Sequence, residues 1–130
     1  MQLLLDTHIW LWSLIEPARL TKRVVTALRS HENEIWLSPI SVWETLMLAD
    51  RRRIAITGDT EQWIQQALRR SAPREAPFTV DVAMRSATLN LPTRDPADRF
   101  IAASAAVHGL TLVTADVHLT SSREYSVLPN

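Results

Sequence analysis

Four acidic side chains in this 130-residue chain stand where a wound α/β fold gathers its chemistry: Asp6, Glu44, Asp98 and Asp116. Asp6 ends the apolar run Leu3-Leu4-Leu5, and Asp116 follows Leu112-Val113-Thr114-Ala115. Glu44 and Asp98 each fall in the first turn of an expected helix. In an open α/β sheet, ligands sit in the crevice beyond the carboxyl ends of the strands. Carboxylates held together repel, so at neutral pH they need a cation or must take up protons. Oxygen-only ligands suit Mg²⁺ or Mn²⁺. Hard divalent ions in such a cluster activate water and stabilise in-line displacement at phosphorus. The chemistry indicated is phosphoryl or phosphodiester transfer.

Each acid also has an ordinary explanation. Asp6 suits the N-cap of the helix that begins near His8. Ser41-Val42-Trp43-Glu44 fits a capping box, with Glu44 reaching back to the Ser41 backbone. Asp95 suits an N-cap, with Pro96 at the first helical position and Asp98 in the dipole-favoured first turn. Asp116 suits a turn. Their joint placement is what favours a site. Strand exits and the helix starts that follow them share one edge of a wound parallel sheet. Asp98 meets that condition only if Arg94 to Asp98 returns to the carboxyl-end side before its helix runs back.

The elements that must position these residues follow from periodicity and punctuation. Leu3–Leu5 reads as a buried strand, His8–Ile15 as a short helix apolar nearly all round, and Glu16-Pro17 as its stop. Thr21 is expected to cap a helix to about Ser30. Ile35–Ser38 reads as the second strand. A helix is expected from about Ser41 to Arg53, with Trp43, Leu46 and Met47 as its apolar stripe. Asp59 is placed as cap of a helix through Arg70, and Ser71–Pro77 as loop. Phe78-Thr79-Val80 is expected as the third strand, with Asp81 capping a helix carrying Val82, Met84 and Leu89. Pro96–His108 reads as an alanine-rich helix closed by Gly109. Leu110–Val113 and Tyr125–Leu128 supply the last two strands. Strands alternating with helices predict one α/β domain over residues 1–130, three-layered, with a central parallel sheet of about five strands flanked by helices.

Composition narrows the function. Cysteine is absent, which removes disulfides, thiolate metal sites and cysteine nucleophiles, and suits a reducing compartment. No signal peptide and no apolar run of membrane-spanning length is visible, so the expected location is cytoplasmic. The net charge is zero, against a broadly polyanion-coating surface, yet thirteen of the fourteen basic residues are Arg, the type suited to bidentate phosphate contact. A GC-rich coding bias would give the same arginine excess. The histidines, His8, His31, His108 and His118, include no pair at metal-binding spacing, and His8 is read as a helix-surface residue. A receiver-like domain would need a late lysine, and the only one is Lys22; an aspartyl-phosphate phosphatase would need an aspartate where His8 stands. Two glycines, Gly58 and Gly109, rule out a glycine-rich dinucleotide turn. A non-enzymatic binding module is the remaining rival, with intact carboxylates against it.

The motifs also resemble a known family. Leu4-Leu5-Asp6-Thr7-His8 with Leu11-Trp12, then Ser38-Pro39-Ile40-Ser41-Val42-Trp43-Glu44, resemble the first two motifs of PIN-domain nucleases of the VapC toxin type. The run Arg94-Asp95-Pro96-Ala97-Asp98-Arg99-Phe100-Ile101-Ala102-Ala103 is similar to their third, and Leu112-Val113-Thr114-Ala115-Asp116 to their fourth. The order is the family's own and spans nearly the whole chain. The resemblance implies a five-stranded parallel sheet with the third strand at one edge and the first near the middle. It implies a Mg²⁺- or Mn²⁺-dependent endoribonuclease, a homodimer acting on RNA and neutralised by a cognate antitoxin. Asp6, Glu44 and Asp98 match the core acids and Asp116 the more variable fourth. Asp95 matches a supporting acidic position. Thr7, Ser41 and Thr114 are the expected hydroxyls that orient carboxylates or metal-bound water, with Thr7 taking over the helix cap while Asp6 faces the metal. Arg99 is expected to pair with a nearby carboxylate, and Arg19, Lys22 and Arg23 are candidates to position the RNA backbone. Ala97 departs from the family pattern, which has larger residues there, and leaves the carboxylate spacing intact.

Overall fold

The computed structural model describes all 130 residues, Met1–Asn130. Strand β1 (Gln2–Leu5) leads directly into helix α1 (Thr7–Ile15), a 3₁₀ turn (Pro17–Arg19) and α2 (Lys22–Arg29). β2 (Glu34–Leu37) is followed by α3 (Pro39–Asp50), α4 (Thr60–Ser71), β3 (Arg74–Glu75), α5 (Val80–Thr88) and α6 (Pro96–His108). β4 (Thr111–Thr114), α7 (Val117–Thr120) and β5 (Ser126–Pro129) complete the chain. The five strands form one sheet in the order β3-β2-β1-β4-β5, and every pairing is parallel. The first strand is therefore central and the third lies at an edge, as the resemblance implies.

Side chains alternate across a strand, so β1 feeds two cores. Leu3 and Leu5 pack with Trp10, Val24, Leu37, Ala67 and Val113 on the face covered by α1, α2 and α4. Leu4 and Leu112 pack on the other face with Val82, Ile101, Ala102 and Ala105 from α5 and α6. The alanines of α6 bring its backbone close to the sheet, and its first turn, which carries Asp98, ends up at the carboxyl edge. Register fixes the exits there: Leu5 pairs with both Leu37 and Val113, so Asp6, Ser38 and Thr114 leave the sheet side by side.

Three expectations are corrected. Phe78-Thr79-Val80 is not a strand, because Thr79 caps α5, its hydroxyl accepting from Val82 N–H at 3.2 Å; Asp81 lies in the first turn instead. The third strand is Arg74–Glu75, inside the stretch read as loop. A two-residue edge strand with both side chains exposed has no apolar alternation to announce it. The third correction concerns α3, which starts at Pro39 with Ser38 as its cap, so the Ser41–Glu44 capping box does not form. Its buried positions are Ser41 and Thr45, whereas Trp43 and Leu46 are 52% and 42% exposed. Because α3 is apolar nearly all round, periodicity could not tell which face turns inward. Met84 of α5 likewise points to solvent, and α7 replaces an expected turn.

Gly109 ends α6 at φ 65°, and no atom lies within 4 Å of where a Cβ would stand. Gly109→Ala should therefore cost only the left-handed backbone penalty, about 1–2 kcal/mol, measured as a lower urea midpoint at unchanged slope.

Candidate active site

Asp6 leaves β1 buried, with 7% of its surface exposed. Its Oδ1 accepts from the Thr7 N–H at 2.9 Å, and its Oδ2 accepts from the Thr114 hydroxyl at 2.7 Å. Asp6 thus keeps the N-cap of α1, and the expected hand-over of that role to Thr7 does not occur. Thr7 is otherwise engaged: its hydroxyl donates to Glu44 Oε1 at 2.5 Å and stands 2.9 Å from Ser41 Oγ. One hydroxyl carries one proton. With that proton on Glu44, the Ser41 hydroxyl donates to Thr7. Thr114 is shared in the same way, donating to Asp6 and accepting from the Asp116 N–H at 3.0 Å. Asp116 in turn caps α7 through His118 N–H.

The third motif is assembled differently. Asp95 caps α6 through the Ala97 N–H at 3.0 Å. The Thr93 hydroxyl accepts from the Asp95 N–H and reaches Asp98 Oδ2 at 3.4 Å. Thr93 escaped the sequence reading, although a hydroxyl two residues before an N-cap is a turn signal. Arg99 does not pair with a carboxylate. It donates to three backbone carbonyls, those of Ser86 at 2.8 Å, Thr93 at 2.9 Å and Leu89 at 2.5 Å. Carbonyls at the end of α5 and in the segment that follows it attract a planar guanidinium with several donors more directly than a distant acid does. Arg99 thereby ties the end of α5 to the approach to α6 and holds the segment that presents Asp95 and Asp98.

Asp6, Glu44, Asp95, Asp98 and Asp116 line one open cavity of about 470 Å³, with His8, Trp12 and Arg19 on its rim. All four acids singled out in the sequence are brought together there. Of the three basic candidates, Arg19 reaches the cavity while Lys22 and Arg23 do not line it. Burial raises the Asp6 and Glu44 carboxyls above their ordinary values, against the hydrogen bonds from Thr114 and Thr7. Burial, followed by repulsion from Asp95, Asp6, Asp116 and Glu44, pushes Asp98 up to about 7. The side chains as they stand do not close to coordination distance around one point. Their donors are all oxygen, they share one cavity, and they repel, which fits a hard divalent cation rather than zinc or copper.

Comparison with known proteins agrees with this architecture. The PIN-domain family model matches residues 3–122. The chain belongs to the PIN-domain family. A ribonuclease named VapC22 from Mycobacterium tuberculosis is 37% identical over 122 residues, covering 92% of this chain and 91% of that protein. Among solved structures, VapBC2 from Rickettsia felis bound to a promoter DNA fragment aligns with TM-score 0.71 and 19% identity, covering 99% of this chain and 98% of the other. FitAcB from Neisseria gonorrhoeae aligns with TM-score 0.66 and 26% identity, covering 97% and 96%. The family-model match takes in the first four strands and all four motifs, and the structural alignments extend over β5 as well.

The acidity of Asp98 has a measurable consequence. Its folded value near 7 lies above the ordinary 3.8. Between the two, the native state holds a proton that the unfolded chain has released, so this contribution to stability is full at low pH and is lost as pH rises towards 7. In metal-free buffer, Asp98→Asn should melt higher than the wild type at pH 8, and the gap should shrink by pH 5. A gap independent of pH would show that Asp98 is not repelled in this cavity.

Proposed function

We propose that this chain is a divalent-metal-dependent endoribonuclease that acts as the toxin of a toxin–antitoxin pair. The observation that carries the reading is the gathering of Asp6, Glu44, Asp98 and Asp116 around one cavity at the carboxyl edge of the sheet. The 37%-identical ribonuclease supports RNA as the substrate. Asp6, Glu44, Asp98 and Asp116 would hold Mg²⁺ or Mn²⁺. Bound there, such an ion would supply Lewis-acid activation of water and charge stabilisation at the phosphate, the chemistry that would leave 5′-phosphate and 3′-hydroxyl ends.

The chain's own residues supply order. Two hydrogen bonds fix both oxygens of Asp6, so this carboxylate presents a defined edge without rearrangement. The Thr7 proton holds Glu44, and Ser41 holds Thr7, so a buried chain of hydroxyls sets the angle of the second acid. Thr114 couples Asp6 to the backbone of Asp116. Asp98, pushed up to about 7, would have to give up its proton to hold a cation, which would make the site responsive to pH.

VapBC-5 from Mycobacterium tuberculosis, described as a member of the VapBC family of toxin-antitoxin systems, has the same fold, which supports an antitoxin partner. Trp43 and Leu46 on α3, with Phe78 and with Val80 and Met84 on α5, are exposed large apolar side chains of the kind that homodimer and antitoxin contacts use. No helix is long and apolar enough to cross a membrane. With RNA as substrate, the place of action we propose is the cytoplasm.

Asp6→Asn should abolish Mg²⁺-dependent cleavage of end-labelled RNA while leaving the far-ultraviolet circular dichroism unchanged; undiminished cleavage sinks the assignment. Thr114→Val removes only the hydroxyl that orients Asp6, and should lower activity or metal affinity about 10–100-fold. Independently of catalysis, Mg²⁺ or Mn²⁺ should raise the melting temperature of the wild type more at pH 8 than at pH 6, because protons compete for Asp98. No rise at either pH would remove the metal from the reading.

A further inference from the structure

Beside the cavity of acids lies a second one, of about 230 Å³, and the two share His8, Trp12 and Arg19. Its walls are mainly apolar and basic, with Glu16 the single acid among them. Leu11, Ile15 and Ile54 give an apolar floor, and Arg19 and Arg53 stand at its margin. Both arginines arrive there through specific local backbone. Glu16-Pro17 ends α1 and starts the 3₁₀ turn that folds Arg19 back over Trp12, its guanidinium carbon 4.2 Å from the ring centroid. Asn130 pins this turn from the far end of the chain, donating to the Arg19 carbonyl at 3.1 Å and accepting from the Thr21 N–H at 2.8 Å. At the end of α3, Arg52 sits at φ 55° and the Arg53 N–H donates to the Leu48 carbonyl at 2.8 Å. A left-handed residue that is not glycine carries strain, and strain of this kind gathers at functional positions. Here it turns the chain so that Arg53 borders the cavity.

Neither guanidinium is used up. Besides its stacking on Trp12, Arg19 pairs only with Glu16, at 4.0 Å and with both side chains more than half exposed, a weak pairing in water. Arg53 makes no ion pair. A polyanion approaching five acids in a chain of zero net charge needs cations close to the point of cleavage. Guanidinium groups take phosphate in bidentate fashion, and apolar or aromatic walls take the flat face of a base with little regard to sequence.

We propose that the Trp12–Arg19–Arg53 cavity is the subsite for the nucleotide that flanks the cleaved RNA phosphate, with Arg19 and Arg53 holding its phosphate and Trp12, Ile15 and Ile54 its base and ribose. The proposal rests on the ribonuclease reading, and its test separates the two. Binding of a fluorescein-labelled single-stranded oligoribonucleotide is measured by anisotropy in Mg²⁺, in the Asp6→Asn background, which cannot cleave if that reading holds. Arg19→Gln and Arg53→Gln should each weaken binding about tenfold and reduce the slope of log affinity against log salt by about 1. In otherwise wild-type protein, the same variants should raise KM and leave kcat within about threefold, since uniform binding is lost. Melting temperatures should stay unchanged, because both side chains are exposed. Wild-type affinity and salt slope in both variants overturn the subsite. Unchanged RNA binding with loss of a tight complex with the antitoxin gives the cavity to the protein partner and overturns it equally. If the wild-type protein cleaves no RNA, the ribonuclease reading fails alone, and the binding arm still decides whether this cavity takes a nucleotide.

Discussion

Mutual repulsion among carboxylates at the carboxyl edge of the sheet is the constraint around which this PIN domain is built. Five acids share one cavity, and three of them are raised in pKa primarily by burial, with repulsion from the others added. Left alone, such side chains would swing apart into solvent. They stay because each is anchored at its own element: Asp6 and Asp116 to hydroxyl and amide at strand ends, Glu44 to Thr7, Asp95 and Asp98 to the first turn of α6. A cation placed among such side chains would relieve that repulsion.

The anchors are small, buried and uncharged. Thr7, Ser41 and Thr114 are fully buried, and each spends its hydroxyl on a member of the same hydrogen-bonded set. A charged anchor in their place would itself shift the carboxyl groups, so hydroxyls fix geometry with less electrostatic disturbance. Arg99 acts at one remove. It spans three carbonyls between α5 and α6, and so converts the loop leading to Asp95 into a fixed support. The parallel sheet makes this economical, since β1, β2 and β4 exit at one level by register.

Around this acidic centre the surface changes character by sector. Towards α1 and the end of α3, arginine and apolar side chains border a second cavity, while outward from α3 and α5 the exposed groups are large and apolar. Polar chemistry is concentrated at the sheet edge, and the exposed large apolar side chains of α3 and α5 lie away from it.

The sequence by itself determined the class of fold, the helix over Pro96–His108 with its Asp95 cap and Gly109 stop, and the four acids as a group. Those features rest on local rules, namely cap chemistry, strand-length apolar runs and the edge at which a parallel strand releases its chain. Tertiary structure alone decided the remainder. The third strand emerged from Arg74–Glu75, which is a strand only because Leu37 and Trp36 pair with it. The inner face of α3 is set by its neighbours, because its apolar side chains are spread around the helix and the buried positions are the polar Ser41 and Thr45. Arg99 went to backbone carbonyls because α5 ends within its reach, and Arg19 but not Lys22 reached the cavity because a 3₁₀ turn pinned by Asn130 points it there. In each case the deciding contact joins residues distant in the chain or depends on where a neighbouring element happens to stop. Such contacts exist only once the elements have packed.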